Sequence, residues 1–476
     1  MTLTLIKLNS TRNPSKAISI IGHIFFLSFL VWAVAFAEER FLAFDAAFYT
    51  FDLINAQNFA IQNDRYISYF TQFIALLFVK WGLSLKWVLM AYSITFGFWY
   101  YLMFLISNYI LKNPKGVLLL IFSLCLALRY KHYAGHTEIV YAIMVASLLF
   151  IWVTTEKAKL AWYKPWMHWP ILMSLCAWLY IIHPIIVVPL TVILIADVIK
   201  NEKWFDWTNW LSIVMVWLSF LLRFSFINAY ETKRVGSLNK SFDVFLEPDK
   251  FPVVYELIMD YLSSEYLLVL LFFIISLGLL AINKRKLLAT CLLLGTISII
   301  AINIVSHSYL TNSIYIMLDG YMGMIGMTIG LSLIYGFEPY WQKPWLMILF
   351  SILILICAFQ IYKKHDFFEQ RLKTFDKTFE LNPGEDKLFV DMKFYNWDKM
   401  WHPYGMAYES LMWTSLRGKE QGKLIYIDTK ARKLNSADSP VMEKILPFDN
   451  DDQTLNENYF IWPRHGYSVT TKVGWN

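Results

Sequence analysis

One carboxylate stands apart from the others between residues 38 and 65. This stretch alternates aromatic and acidic residues with the period of one or two short amphipathic helices lying at a surface. Within it Asp45 is surrounded by apolar residues, FLAFDAAFY, an environment that tunes a carboxylate to act as a general base. The alternative is that the acids only solvate a surface helix, which is the favoured interpretation for Asp52 and Asp64. For Asp45 both interpretations stay open.

A second group combines basic and acidic side chains between two apolar segments, in the sequence ALRYKHYAGHTEIVYAI. Its members are Arg129, Lys131, His132, His136 and Glu138. A basic patch just outside the hydrocarbon suits the phosphate or pyrophosphate of a lipid, and ionisable groups at membrane depth are costly and often functional. The alternative is that Arg129 and Lys131 only extend to the interface along their aliphatic stems.

Three further features are candidates for the lining of a cavity. His183 stands where a proline breaks an apolar stretch, although a hydrogen-bonded turn histidine is an equal alternative. His307 and Tyr309 belong to a short loop, SHSY. Asp319 lies in an apolar run, where an unpaired carboxylate is expensive, so we expect it to have a partner or a task. Arg223 is a candidate partner for it, or a second phosphate contact.

The elements that must position these groups are membrane helices. The chain is 57% hydrophobic and 16% charged, with mean hydropathy +0.45, whereas soluble domains carry about 25% charged residues. Its apolar runs of roughly twenty residues are long enough to cross about 30 Å of hydrocarbon. The sequence therefore predicts an all-α polytopic membrane helix bundle of about 11–13 transmembrane helices. The predicted segments are 17–37, 66–83, 86–111, 116–131, 138–155, 167–182, 184–199, 207–229, 264–283, 287–305, 314–336 and 344–362.

Positive charge in the short loops predicts the orientation, because cytoplasmic loops retain Lys and Arg. The N-terminus and five loops are therefore expected to be cytoplasmic, namely those that contain Lys115, Lys157, Lys200, Arg285 and Lys343. The alternate loops, which carry the candidate residues, then lie outside. The alternation fails if both segments between 66 and 111 cross. We therefore expect segment 66–83 to lie along the interface or to enter only partway, which leaves eleven crossings.

The composition changes near residue 363 to a charged, mixed sequence. We therefore predict a transmembrane domain at 1–363 and a small water-soluble domain at 364–476, on the outer side. Residues 387–395 and 422–428 have the pattern of strands, and residues 405–416 have helical character. The predicted class of this domain is α/β or α+β.

Motifs that identify several other chemistries are missing from the sequence. It has no Walker loop, GxGxxG, GxSxG, HExxH or CxxC, so a nucleotide-driven pump, a Rossmann enzyme and a zinc protease lack support. The net charge of +6 is modest and spread over loops, so we expect no nucleic-acid partner. The four cysteines lie inside apolar runs without ligand spacing. What remains, carboxylates, cations and histidines near a membrane surface, suits transfer from a lipid-phosphate donor.

This arrangement resembles the GT-C superfamily of polytopic glycosyltransferases, which includes the protein mannosyltransferases and the lipid A aminoarabinose transferases. In that family an acidic residue in the first external loop serves as base or metal ligand. A basic residue opens the next apolar segment, and acidic or His residues start a later one. Glu39 and Asp45 match the first feature, Arg65 matches the second, and His136 and Glu138 match the third.

The resemblance implies transfer of a sugar, with inversion, from a polyprenyl-phosphate donor to a glycan, lipid or protein acceptor on the extracytoplasmic face. The cofactor that it implies is a divalent cation, Mg²⁺ or Mn²⁺, for which the sequence assigns no ligands. The implied residues are, as catalytic groups, Asp45, Glu39 and Glu138; for the donor phosphate, Arg65, Arg129, Lys131 and His136; and for the acceptor or the cavity, His183, His307, Tyr309 and Asp319.

The expected location is a bacterial inner membrane, with a cytoplasmic N-terminus and a periplasmic C-terminal domain. One alternative is a non-catalytic membrane subunit of a cell-envelope complex that keeps the same fold. A transporter ranks third, because the chain shows no convincing inverted repeat. An enzyme and a scaffold differ in one observation, namely whether Asp45, Arg65, His136 and Glu138 converge on one external cavity.

Overall fold

A computed structural model describes most of the chain, namely residues 14–61, 65–135, 137–226, 232, 243–312, 314–403, 405–428, 455–461 and 467–475. Two residues singled out in the sequence, Asp64 and His136, lie outside the described residues. Within the described ranges the chain is a helical bundle with one small sheet, as the sequence predicts.

The α-helices follow the apolar pattern of the sequence. In the first half they are α1 (Pro14–Ala35), α2 (Ala37–Phe41), α3 (Phe44–Ala56), α4 (Ser68–Lys80), α5 (Leu85–Leu105), α6 (Pro114–Cys125), α7 (Glu138–Thr154), α8 (His168–Ile181), α9 (Val187–Lys200) and α10 (Trp207–Ser225). In the second half they are α11 (Asp243–Leu246), α12 (Pro252–Asp260), α13 (Leu267–Ile282), α14 (Lys286–His307), α15 (Tyr315–Gly336), α16 (Pro344–Lys363), α17 (His365–Glu380), α18 (Trp397–Met400) and α19 (Met406–Ser415). Each predicted apolar segment coincides with one of these helices.

Length and hydropathy divide the helices into two groups. In the part of the chain that the structure describes, six helices are long and apolar enough to cross a membrane, which indicates an integral membrane protein: α1, α5, α10, α14, α15 and α16. A seventh span is possible if α12 and α13, which are bent by 77°, count as one. This is fewer than the 11–13 spanning helices expected. Several predicted segments form helices shorter than the roughly 20 residues that a span needs, among them α4, α6 and α7.

Helix α15 lies at the centre of the bundle. It packs against α6, α13 and α14, and 89% of its most apolar stretch of 18 residues is buried. A Cβ on Gly326 would lie 3.1 Å from the Ser123 carbonyl oxygen, so glycine lets the backbones of α15 and α6 approach closely. With 22 residues α15 is about 33 Å long, so Asp319 in its second turn and Glu338 just beyond its last turn lie at opposite ends of the bundle.

The loops grouped by positive charge meet at one of these ends, which we call the Glu338 end. There Glu338 pairs with Lys115 at 2.6 Å, with Lys200 at 2.9 Å and with Arg285 at 2.9 Å. These cations come from three different loops. Helices α6, α9 and α14 connect these loops to the opposite end, which we call the Asp45 end.

Helix α4 need not cross from one end to the other. It has 13 residues and is about 20 Å long. Before it, the Asn456 side chain donates a hydrogen bond to the Ile54 carbonyl at 2.8 Å. After it, the Tyr459 hydroxyl donates to the Leu83 carbonyl at 2.7 Å. Both flanks of α4 therefore contact the same C-terminal segment, and the expectation that segment 66–83 enters only partway stays a prediction.

The C-terminal region contains a three-stranded sheet in the order β2-β1-β3, in which both pairs of neighbouring strands are parallel. The strands are β1 (Lys387–Asp391), β2 (Leu424–Asp428) and β3 (Ser468–Thr470). The predictions of two strands and of the helix between them are confirmed by β1, β2 and α19. The parallel pairing of β1 with β2 across α19 makes the region α/β.

The C-terminal region shares its hydrophobic core with earlier parts of the chain. One cluster of buried residues joins the loop after α1, the α4–α5 hairpin and residues 372–475, within the described ranges. In it Phe51 contacts Phe460 with ring centroids 5.4 Å apart, and α3 packs against α19. The sequence change near residue 363 therefore does not mark a separate core, and α3 is held between the two regions.

Candidate functional site

Asp45 occupies a single exposed position on a buried helix. It is the only exposed residue from Arg40 to Phe51. The rest of α3 is apolar on most sides and is covered by α4 and α19, which explains the burial of its neighbours. The preceding residue, Phe44, has φ +53°, a left-handed conformation that costs a side-chain-bearing residue about 1–2 kcal/mol. The chain therefore turns sharply at the point where the Asp45 carboxylate reaches open space.

Tyr49 lies one helical turn after Asp45, and several charged groups act on its hydroxyl. Burial raises the pKa of its hydroxyl, and the charges of Glu138 and Asp45 raise it further while that of Arg65 lowers it. Tyr49 is therefore a neutral hydrogen-bond donor at pH 7. Three predicted site residues from three separate segments, Asp45, Arg65 and Glu138, thus lie near enough for their charges to act on this hydroxyl.

His183 joins the same group from the turn between α8 and α9. Its charged neighbours are Arg65, Glu138, Lys131 and Arg223. Burial, and then the charge of Arg65, lower the pKa of His183 to about 3, so its ring is neutral at pH 7. Arg65 and Glu138 therefore act on both Tyr49 and His183, while Asp45 acts on Tyr49 and Lys131 acts on His183.

The predicted cavity residues His183 and His307 lie on either side of one tyrosine. The Tyr321 ring is 6.0 Å from the His183 ring and 4.9 Å from the His307 ring, both in edge-to-face geometry. His307 is also 3.0 Å from the Asn303 carbonyl oxygen through its Nδ1. Tyr309, which is 49% exposed, lies 6.3 Å from the His307 ring. Sequence reasoning missed Tyr321 and Tyr49, since nothing in their spacing separates them from anchoring aromatics.

An apolar recess opens beside His183, between α8, α9 and α10. Arg223 lies at its edge, 4% exposed, with its guanidinium 6.0 Å from the Tyr180 ring. The recess therefore combines a hydrocarbon lining with a cation and a histidine. It is lined by Leu179, Tyr180, His183, Pro184, Ile186, Val187, Val216, Ser219, Phe220 and Arg223.

Arg129 does not face this site, although it was predicted to bind a phosphate. Its side chain is fully buried and donates to the carbonyl oxygens of Cys125 at 3.0 Å and Leu128 at 2.7 Å, which belong to the end of α6. It also donates to Gln360 Oε1 at 2.8 Å and stands over the Tyr266 ring. Arg129 therefore ties the end of α6 to α16 through its two terminal nitrogens, and its Nε lies 3.7 Å from the Glu265 carboxylate.

The Asp319 carboxylate also makes its contacts with the surrounding protein rather than with the recess. One carboxylate oxygen accepts hydrogen bonds from the backbone N–H of Lys131 at 2.7 Å and of Arg129 at 3.1 Å, and the Tyr266 hydroxyl lies 3.3 Å from the other oxygen. The partners that we expected for this carboxylate are thus backbone N–H groups rather than Arg223. Asp319 fixes the turn that carries Lys131 and only indirectly affects the cavity.

Glu39 lies apart from Asp45. Burial raises the pKa of Glu39 to about 7, the charges of Glu38 and Glu369 raise it further, and Lys373 lowers it. These neighbours differ from the groups that surround Tyr49 and His183, so Glu39 belongs to another surface, between α2 and α17.

The residues that could hold a divalent cation lie on that other surface. Within the described part of the chain, His365, Asp366 and Glu369 form the group whose ligand atoms all lie within 4.8 Å of one another. One nitrogen and two carboxylates suit Mn²⁺ or Zn²⁺ better than Mg²⁺. Glu369 already pairs with Lys373 at 2.7 Å, however, and His365 with Asp366 at 3.2 Å. Both carboxylates and His365 Nε2 therefore already have protein partners.

Comparison with protein-family models, with curated proteins and with solved structures gives no match to this chain. The chemistry of the site must therefore be argued from its own residues.

Proposed function

We propose that this protein is a membrane glycosyltransferase of the GT-C type, which transfers a sugar from a polyprenyl-phosphate donor to an acceptor on the extracytoplasmic face of a bacterial inner membrane. The observation that carries the proposal is that the charges of Arg65 and Glu138 act on both Tyr49 and His183, while that of the exposed Asp45 acts on Tyr49. Such a grouping of carboxylates and cations from separate segments at one end of an apolar bundle supports a catalytic site over a scaffold.

In the proposed reaction Asp45 is the general base. It takes the proton of the acceptor hydroxyl as that oxygen bonds to the anomeric carbon, and the bond from the anomeric carbon to the phosphate oxygen breaks. The polyprenyl phosphate leaves with the electron pair. Attack from the face opposite the leaving group inverts the anomeric carbon. Tyr49 and Glu138 hold the acceptor by hydrogen bonds beside Asp45.

The developing charge on the phosphate requires cations that are already in place. Arg65, Lys131 and Arg223 are the cations around His183, and the neutral ring of His183 adds a hydrogen-bond donor or acceptor. Arg129 is left out of this set because it is fully buried and its terminal nitrogens donate to protein oxygens at and just after the end of α6. The proposed phosphate site thus keeps two of the predicted cations and adds Arg223.

The recess between α8, α9 and α10 has only about 10 Å³ of free volume, so we propose that it takes no more than the first atoms of the isoprenoid tail next to the phosphate. Its lining is predominantly apolar, and its polar groups, His183 and Arg223, lie where a phosphate headgroup would follow the tail. The proposed orientation places the Glu338 end in the cytoplasm, since the basic loops meet there. The C-terminal domain then covers the site from the periplasm.

The test is Asp45→Asn in cells that lack the wild-type protein, with envelope glycans measured by mass spectrometry. We expect the glycosylated product to fall by about 10²–10⁴-fold, the usual contribution of a general base. Asp52→Asn is the matched control, because Asp52 lies two turns further on α3 and is half-buried.

Two results contradict the proposal. Unchanged glycans with Asp45→Asn, in cells whose glycans change when the whole gene is deleted, favour a non-catalytic subunit of an envelope complex. An equal loss with Asp45→Asn and Asp52→Asn, at equal protein levels, assigns the effect to the helix rather than to the carboxylate.

A further inference from the structure

A buried ion pair in the C-terminal region touches the backbone just before Asp45. Arg371 of α17 and Glu409 of α19 are both fully buried and pair at 2.6 Å, from Arg371 Nε to Glu409 Oε2. A second contact of 3.0 Å joins Arg371 Nη2 to Glu409 Oε1. That same Oε1 accepts the Phe44 backbone N–H at 2.7 Å. The Glu409 carboxylate therefore links Arg371 to Phe44, which lies 365 positions before Glu409 in the chain.

Phe44 is the residue that needs such a link. Its φ of +53° is disfavoured for any residue with a side chain, so neighbouring groups must hold it. The Arg371 guanidinium also lies 4.4 Å from the centre of the Phe44 ring. The ion pair therefore contacts Phe44 twice, once through its N–H and once through its ring.

The rest of the pair is fixed on the other side. Arg371 donates its remaining N–H groups to the carbonyl oxygens of Met400 and, at 3.0 Å, of His402. A Cβ on Gly405 would lie 2.6 Å from Glu409 Oε1 and 3.2 Å from Phe44 Cα. The absence of a side chain at Gly405 therefore lets Phe44 and the Glu409 carboxylate pack against the same point of the backbone.

We propose that Glu409 is a positioning residue for Asp45: by accepting the Phe44 N–H it keeps Phe44 left-handed and so directs the next side chain, Asp45, into the open site. The role in catalysis rests on the proposed function, but the positioning itself does not. The C-terminal domain is then part of the active site, although none of its residues needs to touch the substrate.

The experiment distinguishes two roles of Glu409, namely accepting the Phe44 N–H and pairing with Arg371. The first variant combines Arg371→Met with Glu409→Met. Because both charges are removed together, no buried charge is left unpaired, and we expect the variant to fold. This double variant still lacks the acceptor for Phe44. Arg371→Lys, in contrast, keeps the Glu409 acceptor but loses the two-point contact, and so weakens the fold.

Hydrogen exchange of the full-length protein in detergent is the readout. In the double Met variant we expect amides of residues 42–48 to exchange at least tenfold faster, while β1 and β2 stay protected. In Arg371→Lys we expect a lower melting temperature with residues 42–48 still protected. As a control, the more exposed pair Arg417–Asp376 is replaced in Arg417→Gln with Asp376→Asn, and we expect no change.

The positioning role is overturned if residues 42–48 of the double Met variant stay as protected as in the wild type. It is also overturned if β1 and β2 lose protection in parallel, since Glu409 then acts on folding alone. Envelope glycans separate the two proposals. If Asp45→Asn leaves them unchanged, the proposed function fails while the exchange result stands. If Asp45→Asn abolishes them and the double Met variant does not lower them, positioning fails alone.

Discussion

At the Glu338 end of the bundle three cations from three loops meet one carboxylate, whereas at the Asp45 end carboxylates and cations from several segments act on Tyr49 and His183 of the candidate site. Lys115, Lys200 and Arg285 all lie within 3 Å of Glu338. Asp45, by comparison, is exposed on an otherwise buried helix. The same residue types thus close one end by neutralising each other and line a site at the other.

The contrast recurs on a smaller scale between Arg129 and Lys131, two residues apart on the same turn. Arg129 is fully buried and bound to carbonyl oxygens, while Lys131 is half-buried beside His183. Asp319 accepts the backbone N–H of both. One cation therefore holds the turn from inside while the other is presented to the site.

The largest loss of stability should come from removing the buried cation of this turn, Arg129. We expect Arg129→Ala to lower the free energy of unfolding by about 3 kcal/mol, because it leaves the carbonyl oxygens of Cys125 and Leu128 and the Gln360 side chain without their buried donor. Unfolding of the full chain in detergent, followed by tryptophan fluorescence, measures it.

Lys131→Ala is the matched variant. It should change stability by less than about 0.5 kcal/mol but weaken the thermal stabilisation of the protein by added farnesyl phosphate. The division of roles is refuted if Lys131→Ala destabilises as strongly as Arg129→Ala, or if only Arg129→Ala affects the response to farnesyl phosphate.

A smaller loss of stability should follow when a larger side chain is placed at the contact between the C-terminal region and α3. We expect Gly405→Ala to lower the free energy of unfolding by about 1–3 kcal/mol, since its Cβ would lie 2.6 Å from Glu409 Oε1. Gly278→Ala is the control, because that position in α13 has no atom within 4 Å and a helical alanine is neutral or stabilising. Equal stability of the two variants would contradict the close contact.

The sequence predicted the helices and the grouping of the loops well, because both depend on local properties. An apolar run folds as a helix wherever it packs, and α4 to α10 all occur where such runs were predicted. Lys115, Lys200 and Arg285 were grouped by charge alone, and they meet at Glu338. The number of spanning helices was less predictable, since helix length depends on where the chain turns.

Side-chain direction could not be predicted, because it depends on tertiary contacts. Nothing local distinguishes Arg129 from Lys131, and only the positions of Gln360 and Tyr266 decide which one turns inward. The hydrogen bond from Phe44 to Glu409 joins residues 365 positions apart, so no spacing rule could reveal it. Asp45 was identified because its apolar neighbours form a short, contiguous pattern.

At the Glu338 end we expect an effect on stability without an effect on the site. Burial alone would raise the pKa of Glu338, but hydrogen bonds from Lys115, Arg285 and Lys200 lower it to about 2. A depressed carboxylate contributes stability above its unfolded pKa of 4.5, which is lost as the pH falls towards 2. Glu338→Gln should lower the free energy of unfolding by about 1–2 kcal/mol at pH 7 and by much less at pH 3. Melting temperatures at both pH values measure this, and reduced envelope glycans at normal protein levels would contradict the separation of the two ends.

The smallest expected effect concerns Glu39, whose pKa has the opposite shift. Burial, followed by the charges of Glu38 and Glu369, raises it from 4.5 to about 7. The folded protein then binds more protons than the unfolded chain between these values, so this group makes stability fall as the pH rises from 4.5 to about 7. Because Glu39 is partly exposed and water screens its charge, we expect the fall to be at most about 1 kcal/mol. Glu39→Gln should remove this part of the pH dependence, so the variant gains stability relative to the wild type between pH 5 and pH 8. Loss of envelope glycans in Glu39→Gln at unchanged stability would instead place Glu39 in the site with Asp45.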